Sequence, residues 1–312
     1  MSLKITLPKT DLSVHPLCLG GNVFGWSANK EESFAVLDAY AAHGGNFIDT
    51  ADMYSEWAPG NTGHDSERII GEWMKARGNR SEMIIATKVA KLSSRPGLSA
   101  ANIAGAIEDS LAALQTDYVD LYYAHEDDAN TPLEETLGAF DAEVKAGKVR
   151  YIAASNYSAD RLKASLEISA INNFASFVAI QNMYNLVERN PYETELAPVV
   201  IEEGLSGIPY FGLARGFLTG KYRAGVTIDS VRAGGVTSYQ NERGYAIVDL
   251  LTEIADAHKS SIASIALAWL RSQPSISTPI ASARTVEQLE DIVSVIHLTA
   301  DEVSALNAVT AN

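Results

Sequence analysis

The stretch MIIATKVAKLSSRPGLSAANIAGAIEDSLAALQTDYVDLYYAH, residues 83–125, contains one complete strand–helix–strand unit and decides the fold. Met83–Lys88 and Val119–His125 are short apolar runs rich in Ile, Val and Tyr, which is typical of strands buried on both faces. Between them, Ser99–Leu114 has the character of a helix and begins at a serine, a residue that often caps a helix N-terminus. Two parallel strands joined by a helix are the repeating unit of an α/β protein.

The same unit repeats on both sides of this stretch. The predicted strands are Val14–Leu19, Asn46–Thr50, Met83–Lys88, Val119–His125, Val149–Ser155, Phe177–Gln181, Gly207–Leu213 and Ile276–Ala281. The predicted helices are Glu31–His43, Ser66–Arg77, Ser99–Leu114, Pro132–Ala146, Ala159–Ser169, Tyr192–Glu203 and Thr285–His297. Eight strands that alternate with helices, without a linker or a break in composition, predict one (β/α)8 TIM barrel, an α/β domain spanning residues 1–312. A doubly wound open sheet is the alternative fold, and it is disfavoured because no predicted strand is followed by G-x-G-x-x-G.

Two segments add to this minimal barrel. KITLPKTDLSVHP, residues 4–16, predicts a short N-terminal β-hairpin ahead of the first barrel strand. The stretch from Arg223 to Gly244 follows the seventh predicted strand, is rich in Gly, Ser and Tyr, and predicts a long loop. Loops of this length in compact domains are usually functional lids or disordered segments.

Composition and charge exclude several classes of protein. Of the 312 residues, 46% are hydrophobic and 20% are charged, so the chain can bury a large core. A formal net charge of −15 argues against general affinity for nucleic acid or anionic membranes. No run of about 18 apolar residues predicts a membrane span, and the N-terminus lacks the apolar stretch of a signal peptide. The single cysteine, Cys18, lies in the apolar run VHPLCLG, which favours a buried side chain and excludes an internal disulfide. We therefore expect a cytoplasmic protein.

Four polar residues lie at the ends of neighbouring predicted strands or shortly after them, at the barrel end where catalysis is expected. They are Asp49, Tyr54, Lys88 and His125. Each alone is weak, because a single lysine or histidine in such a place is usually a surface or structural residue. Together they suit the protonation of a carbonyl oxygen while a hydride arrives at its carbon. The ammonium of Lys88 is expected to lower the pKa of Tyr54, Asp49 to hold Lys88, and His125 to orient the carbonyl or relay a proton. The sequence has no metal-ligand spacing, so no metal site is predicted.

At these residues the sequence resembles the aldo-keto reductase superfamily, and the resemblance covers nearly the whole chain. GGNFIDTADMY, IIATKV and VDLYYAHEDD resemble the segments that carry the family's catalytic Asp, Tyr, Lys and His. IAASNYS, IQNMYNLVER, YFGLARGFLTGKY and ARTVEQLED resemble its cofactor-binding segments, in the same order and spacing. NMYNLVER and LTGKY are most similar to the bacterial and potassium-channel β-subunit-like branches.

The resemblance implies an NADP(H) site at defined positions. These are Ser155, Asn156, Gln181, Tyr210, Leu213, Arg215, Gly216, Lys221, Ser282, Arg284, Gln288 and Asp291. Tyr210 is expected to stack on the nicotinamide, the loop from Leu213 to Lys221 to wrap the pyrophosphate, and Arg284 to meet the adenosine 2′-phosphate. Two departures stand out. Phe211-Gly212 replaces a frequent Ser-Pro, and Asp291-Ile292 replaces a frequent Glu-Asn.

The resemblance implies an oxidoreductase that reduces an aryl, aliphatic or sugar-like aldehyde or ketone to the alcohol. Phe24, Trp26 and Trp57 are the candidate walls of the substrate pocket, with Tyr239 on the long loop as a further aromatic residue. The acidic run Glu126–Asp128 argues weakly against anionic substrates. Whether the protein is a monomer or a homo-oligomer stays open.

Two other functions compete with carbonyl reduction. One is an NADPH-binding regulatory or redox-sensing module with little turnover, as implied by the channel-subunit-like branch. The other is an aldolase that forms a Schiff base on Lys88, since lysines at barrel strand ends serve that chemistry. The aldolase hypothesis leaves Asn156, Tyr210 and Arg284 unexplained.

Overall fold

The computed structural model describes residues 4–223, 225 and 233–311, and its centre is a sheet of eight parallel strands. The strands along the chain are β1 (Ile5–Thr6), β2 (Ser13–Val14), β3 (Cys18–Gly20), β4 (Phe47–Asp49), β5 (Ile84–Val89), β6 (Val119–Ala124), β7 (Val149–Ser155), β8 (Phe177–Gln181), β9 (Ser206–Gly207) and β10 (Ile280–Ala281). Strands β1 and β2 pair antiparallel as the predicted N-terminal hairpin. The other eight pair in the order β10-β3-β4-β5-β6-β7-β8-β9.

The two ends of this order are joined, so that the sheet closes into a barrel. Gly207 of β9 bridges to Ile276, just ahead of β10, and its amide donates to the carbonyl of Ser275 at 3.0 Å. The amide of Ile280 donates to the carbonyl of Pro209 at 2.9 Å. The predicted (β/α)8 barrel with an N-terminal hairpin is thereby confirmed.

Helices flank the barrel on its outside. They are α1 (Lys30–Ala42), α2 (Asp65–Arg77), α3 (Ala100–Leu114), α4 (Leu133–Lys145), α5 (Ala159–Asn172), α6 (Ala197–Glu202), α7 (Glu242–His258), α8 (Ile262–Arg271), α9 (Val286–Val293) and α10 (Ala300–Val309). Serine caps begin several of them, and Ser99 accepts from the amide of Asn102 as predicted for α3. Short 3-10 or π turns occupy Arg80–Glu82, Tyr192–Leu196, Ala214–Thr219 and Ala233–Tyr239. None of the helices in the described ranges is long and apolar enough to cross a membrane.

Three predicted strands are wrong in extent, and one of them, Ile276–Ala281, is only Ile280–Ala281. Val14 pairs with Ile5 in the hairpin, so the first barrel strand is Cys18–Gly20 rather than Val14–Leu19. The seventh strand is only Ser206–Gly207, because Pro209 lacks the N–H that a strand pairing requires. Tyr210 therefore lies beyond that strand, where it forms an isolated bridge with Met183.

Three helices of the structure were not predicted from the sequence: α7, α8 and α10. Helix α7 begins inside the stretch predicted as a loop from residue 223 to residue 244, where the Asn241 side chain accepts from the amide of Gly244. Ala224 and residues 226–232 of that predicted loop lie outside the described residues. In the described part, Ala233–Tyr239 forms a 3-10 segment rather than a plain loop.

The barrel interior is a small apolar cluster, separate from the large one between the sheet and the helices. Leu121 and Tyr123 of β6 belong to the interior cluster, whereas Tyr122 between them belongs to the outer one. This is the two-residue alternation of a strand. Lys88 pairs with Tyr123 in register, so it also faces the interior, at the carboxyl end of β5. Leu7 and Leu12 of the hairpin close the opposite end of this interior cluster.

A buried carboxylate ties the amino end of β6 to its neighbours. Asp120 is 1% exposed, and it accepts from Arg80 Nη2 at 2.9 Å and from Arg150 Nη1 at 2.7 Å. Its Oδ2 also accepts from the amide of Ile85 in β5 at 2.9 Å. Two guanidinium groups and one backbone amide therefore depend on this single side chain.

For Asp120→Asn we expect the free energy of unfolding to fall by about 2 kcal/mol, because both arginines lose a charged acceptor while the side-chain volume is kept. Chemical denaturation followed by circular dichroism measures this. Asp117→Asn, at an exposed position nearby, is the control and should change stability by less than about 0.5 kcal/mol. Equal stability of the two variants would contradict the assigned role of Asp120.

Candidate active site

The side chain of Lys88 is fully buried and lies at the centre of the candidate site. Its Nζ donates to Asp49 Oδ2 at 2.6 Å, to Tyr54 Oη at 2.9 Å and to the carbonyl of Thr50 at 2.8 Å. An ammonium has three hydrogens to donate, and here each has an acceptor. The structure thus brings together three of the four predicted catalytic residues.

Asp49 ends β4 and is 1% exposed. Its Oδ1 accepts from Gln181 Nε2 at 2.9 Å, so an amide from the far side of the barrel fixes the carboxylate. Tyr54 Oη donates to Asp49 Oδ2 at 3.2 Å, a long distance for a bond between oxygens. The hydroxyl proton of Tyr54 is therefore held weakly and can turn towards another acceptor.

His125 follows β6 and lies beside Tyr54, with the two ring centroids 5.9 Å apart. Its backbone amide donates to the carbonyl of Val89 at 2.9 Å, and its carbonyl accepts from Asn156 Nδ2 at 2.9 Å. Among the described residues, Nδ1 of its ring has no partner. Burial, and then the positive charges of Lys88 and Lys91, hold the pKa of His125 well below its usual value. The imidazole is therefore neutral at neutral pH.

The pKa of Tyr54 departs from the expectation. Burial raises it well above its usual value, and the Asp49 carboxylate raises it further. The expectation that Lys88 lowers this pKa is wrong for the structure as it stands, because burial and a nearby carboxylate oppose the ammonium. Burial also lowers the pKa of Lys88, while Asp49 acts in the opposite direction. Tyr54 consequently keeps its proton at neutral pH.

A cavity of about 720 Å³ opens above these residues and is lined by Asp49, Tyr54 and His125. Lys88 lies beneath the wall of this cavity rather than on it. The same wall contains every position predicted to bind the cofactor: Ser155, Asn156, Gln181, Tyr210, Leu213, Arg215, Gly216, Lys221, Ser282, Arg284, Gln288 and Asp291. Residues from six loops of the barrel thus meet in one continuous space.

Hydrogen bonds order the part of the wall nearest to the catalytic residues. Ser155 Oγ donates to the carbonyl of Gln181 at 2.8 Å, and Tyr210 Oη donates to Asn156 Oδ1 at 2.8 Å. Asn156 adopts a left-handed backbone with φ 58°, a conformation that asparagine tolerates better than most residues. The predicted amide and aromatic groups are therefore already in contact with one another.

Three cations on the wall lack a carboxylate partner among the described residues. They are Arg215, Lys221 and Arg284, and all of them lie on loops that follow β9 or β10. In a chain with a net charge of −15, unpaired cations around one cavity indicate a site for an anionic ligand. Arg215 lies over the ring of Phe211, with its guanidinium carbon 5.0 Å from the ring centroid.

Phe211 and Asp291 are the two departures from the family pattern. Phe211 lies on the cavity wall with 40% of its surface exposed, where a Ser side chain would offer a hydroxyl. The Asp291 carbonyl accepts from Ser264 Oγ at 2.8 Å, so its backbone is tied to the start of α8. Its side chain reaches the same wall as Gln288.

The predicted aromatic walls separate into three cases. Trp57 lies on the cavity wall beside Tyr54 and is 45% exposed. Trp26 packs edge to face against Trp57, with ring centroids 5.5 Å apart, and is not itself on the wall. The prediction for Phe24 is wrong, because its side chain is fully buried in the core. Tyr239 also lies off the wall and donates to Glu188 Oε1 at 3.0 Å.

Each carboxylate of the acidic run after His125 has a partner, a cation for Glu126 and Asp127 and neutral donors for Asp128. Glu126 accepts from Lys91 at 2.9 Å, and Asp127 accepts from Arg161 at 2.6 Å. Asp128 accepts from the amide of Leu98 at 2.9 Å. The run therefore opposes anionic substrates less than its sequence suggested, since two of its three negative charges are balanced by cations.

Sequence reasoning missed several residues on this wall, among them Asn22, Lys91 and the start of α8 at Ser261. Asn22 accepts from Ser282 Oγ at 2.6 Å. The signals were present, because Asn22 follows the first barrel strand, Lys91 comes soon after Lys88, and Ser261 caps a strongly apolar helix. A helix N-terminus on the wall adds to its positive potential.

Comparison with known proteins bears on these observations. Residues 16–311 match the model of the family described as "Aldo/keto reductase family". The chain is 33% identical over 306 residues to "Uncharacterized oxidoreductase YrpG" of Bacillus subtilis, covering 95% of this chain and 91% of that protein. It is 33% identical to "Norsolorinic acid reductase stcV" of Emericella nidulans, covering 92% and 75% of the two chains. It is 31% identical to "Probable voltage-gated potassium channel subunit beta" of Arabidopsis thaliana, covering 91% and 88%.

A buried acidic pair lies behind the loop that carries Tyr54. Asp52 is 1% exposed, and neither of its side-chain oxygens has a partner among the described residues. Glu67 is fully buried beside it and accepts from Thr87 Oγ1 at 2.5 Å, while its other oxygen lies 2.5 Å from His64 Nδ1. Burial, and then the charge of Glu67, raise the pKa of Asp52 to about 7. Burial alone lowers the pKa of His64, but Glu67 and Asp52 outweigh it and the pKa is raised.

This pKa makes the stability contribution of Asp52 depend on pH. Between about pH 4 and about pH 7, Asp52 is protonated in the folded chain but ionised in the unfolded chain. The stability of the fold therefore falls as the pH rises through this window. Asparagine at this position carries no charge, so Asp52→Asn should not lose stability in this way. We expect the difference in the free energy of unfolding, variant minus unmodified chain, to increase by about 2 kcal/mol from about pH 5 to about pH 8.

Denaturant unfolding at several pH values measures this difference. Asp117→Asn, at an exposed position, serves as the control and should show a constant difference across the range. A difference for Asp52→Asn that does not change with pH would show that the Asp52 carboxyl titrates normally.

Proposed function

The chain belongs to the aldo/keto reductase family, and we propose that it is an NADP(H)-dependent oxidoreductase that reduces an aldehyde or a ketone to the alcohol. The observation that carries this proposal is the contact of one buried ammonium with both the Asp49 carboxylate and the Tyr54 hydroxyl. This contact lies at the floor of a cavity whose other end holds unpaired cations. One end of the cavity suits acid catalysis, and the other suits a phosphorylated cofactor.

The residues on the wall fit NADP(H) by their chemistry. Arg215, Lys221 and Arg284 supply three positive charges, and the cofactor carries a pyrophosphate and a third phosphate. The planar guanidinium of Arg284 suits the 2′-phosphate. Asn156 and Gln181 suit the carboxamide at the other end, and Tyr210 offers a flat face to the nicotinamide ring. When bound, the cofactor supplies the hydride.

Tyr54 is proposed as the general acid. Its raised pKa keeps the phenol protonated, and its weak bond to Asp49 leaves that proton free to turn towards a carbonyl oxygen in the cavity. As the proton leaves, the phenolate forms 2.9 Å from the Lys88 ammonium, which stabilises it. Lys88 thus acts mainly on the charge that develops during the reaction. Asp49 keeps the ammonium charged and in place.

His125 is proposed to orient the substrate. Its low pKa keeps the ring neutral, so that it binds a carbonyl oxygen by donating one N–H and does not compete with Tyr54 as an acid. His125 is 8% exposed, so a hydrogen bond from its ring acts where solvent screens it weakly.

The Schiff-base hypothesis does not fit the geometry. A lysine that attacks a carbonyl must present a free amine to the substrate. Lys88 has no exposed surface, and all three of its hydrogens are directed at protein acceptors.

A second candidate function is favoured by one relative, the Arabidopsis protein named as a channel subunit. A chain of that kind would bind NADPH as a regulatory or redox-sensing module with little turnover. Fluorescence titration with NADPH, followed by a panel of aldehydes and ketones, separates the two. Binding with measurable carbonyl-dependent oxidation supports the enzyme, and binding without turnover across the panel supports the module.

For Tyr54→Phe we expect kcat to fall by about 10²-fold or more, because the proton donor is lost while the ring is kept. The Kd for NADPH should stay near that of the unmodified chain, measured by fluorescence titration. Tyr118→Phe, at the opposite end of the barrel beside Arg80, is the matched control and should keep its kcat. Full activity of Tyr54→Phe would remove Tyr54 as the acid.

For Arg284→Ala we expect the Kd for NADPH to rise by about tenfold or more, because the 2′-phosphate loses a charged partner. NADH lacks this phosphate, so its Kd in the same titration is the internal control and should change little. A variant that keeps the ratio of the two Kd values would take the 2′-phosphate contact away from Arg284.

A further inference from the structure

Lys91 is a fourth cation on the wall of the cavity, and the proposed cofactor contacts do not use it. It follows β5, which lies opposite β9 in the closed strand order, with β6, β7 and β8 between them on one side and β4, β3 and β10 on the other. Arg215 and Lys221 follow β9 and Arg284 follows β10. Lys91 therefore lies across the barrel mouth from the phosphate end, on the same side as His125.

The backbone at this point is unusual. Ala90, directly before Lys91, has a φ of 121°, which residues with a Cβ atom rarely adopt. Strain of this kind tends to occur where a structure holds a functional side chain in place. The turn it produces at the end of β5 is where the chain brings Lys91 to the cavity.

Glu126 holds Lys91 through an ion pair that is readily exchanged. The Lys91 ammonium lies 2.9 Å from Glu126 Oε2, and the two side chains are 35% and 46% exposed. Exposed ion pairs of this type contribute little, because water and salt screen them. Asp127 and Asp128 have partners of their own in Arg161 and the amide of Leu98, so Glu126 is the acidic residue in this run that Lys91 binds.

The neighbouring surface suits a flat apolar group. Trp57 lies on the same wall with 45% of its surface exposed, beside Tyr54. A substrate with its carbonyl at Tyr54 and His125 would therefore place a planar body against Trp57. An anionic group on that body would meet Lys91.

We infer that Lys91 is a specificity residue that selects carbonyl substrates bearing an anionic group on a planar body, such as an aromatic aldehyde carboxylate, and that Glu126 is its built-in competitor. The substrate carboxylate takes the place of Glu126 at the ammonium, and Glu126 turns to solvent. No charge is left unpaired in the cavity by this exchange. The inference rests on the proposed carbonyl reductase function.

The test compares 2-, 3- and 4-carboxybenzaldehyde with their methyl esters, which keep the aldehyde and the ring but lack the charge. Rates are measured as NADPH oxidation, and the readout is the ratio of kcat/KM for each acid to kcat/KM for its ester. Each ratio is taken within one variant, so changes in folding or in cofactor binding cancel.

For Lys91→Met we expect the ratio for the isomer that fits best to fall by about threefold to tenfold, since one charged contact in a partly exposed site is lost. For Glu126→Gln the ratio should rise by about twofold to threefold, because the competitor is neutral. Both effects should shrink at high salt. Lys163→Met, at an exposed position on α5, removes the same charge outside the cavity and should leave the ratios unchanged.

Each failure has a distinct signature. Turnover of the esters, with ratios that stay the same in Lys91→Met for all three isomers, overturns the role of Lys91 and leaves the reductase function standing. A fall of the ratios in Glu126→Gln overturns the competitor role. If the unmodified chain oxidises NADPH with none of these aldehydes but does so with other members of the carbonyl panel, the specificity inference fails alone; if it does so with no member of the panel, the reductase function fails as well.

Discussion

A lysine ammonium with no exposed surface is the constraint on which the site depends. Removing such a charge from water costs several kcal/mol unless every donor finds a partner. Lys88 meets this cost with a carboxylate, a phenol oxygen and a backbone carbonyl. Because the acceptors come from β4 and the loop after it, the register between β4 and β5 decides whether the site forms at all. The same contacts that offset the free-energy cost of burying the Lys88 ammonium also hold Tyr54 at the floor of the cavity.

The closed barrel supplies this geometry, since its strands end on one rim and alternate side chains point inward. Lys88 faces the interior in the same layer as Tyr123, and Gln181 reaches Asp49 across the barrel. The hairpin residues Leu7 and Leu12 fill the other end, so the interior is apolar below the polar layer. The electrostatic interactions of Lys88 and Asp49 therefore act in a medium that screens them weakly.

The barrel and the polar residues Asp49, Lys88 and His125 at its strand ends could be predicted because they depend on short-range patterns, namely apolar runs and the polar residues that end them. The cofactor positions on the cavity wall, in contrast, came from the family resemblance. Sequence reasoning failed where long-range packing decides. Phe24 is aromatic and close to the mouth in sequence, yet the fold buries it in the core. The strand ending at Gly207 is short because a proline follows, and three helices were missed among the Gly-rich and Ser-rich C-terminal third. The direction of the Tyr54 pKa also depends on burial, which a sequence does not provide.

The net charge of the whole molecule and the charges on the cavity wall have opposite signs and act over different distances. A net charge of −15 repels an anionic cofactor or substrate at long range, although physiological salt screens this beyond about 8 Å. Inside the cavity, Arg215, Lys221 and Arg284 would meet an anion at contact distance, where screening is weak. Under the proposed function the local charges therefore determine affinity, while the acidic surface opposes non-specific binding of anions elsewhere. Lys91 differs from these three because it is already paired with Glu126, so we infer that an anion at that end exchanges with a carboxylate of the chain. The two ends of the cavity thus differ in how their cations are paired: those at one end have no carboxylate partner among the described residues, and the one at the other end already has one.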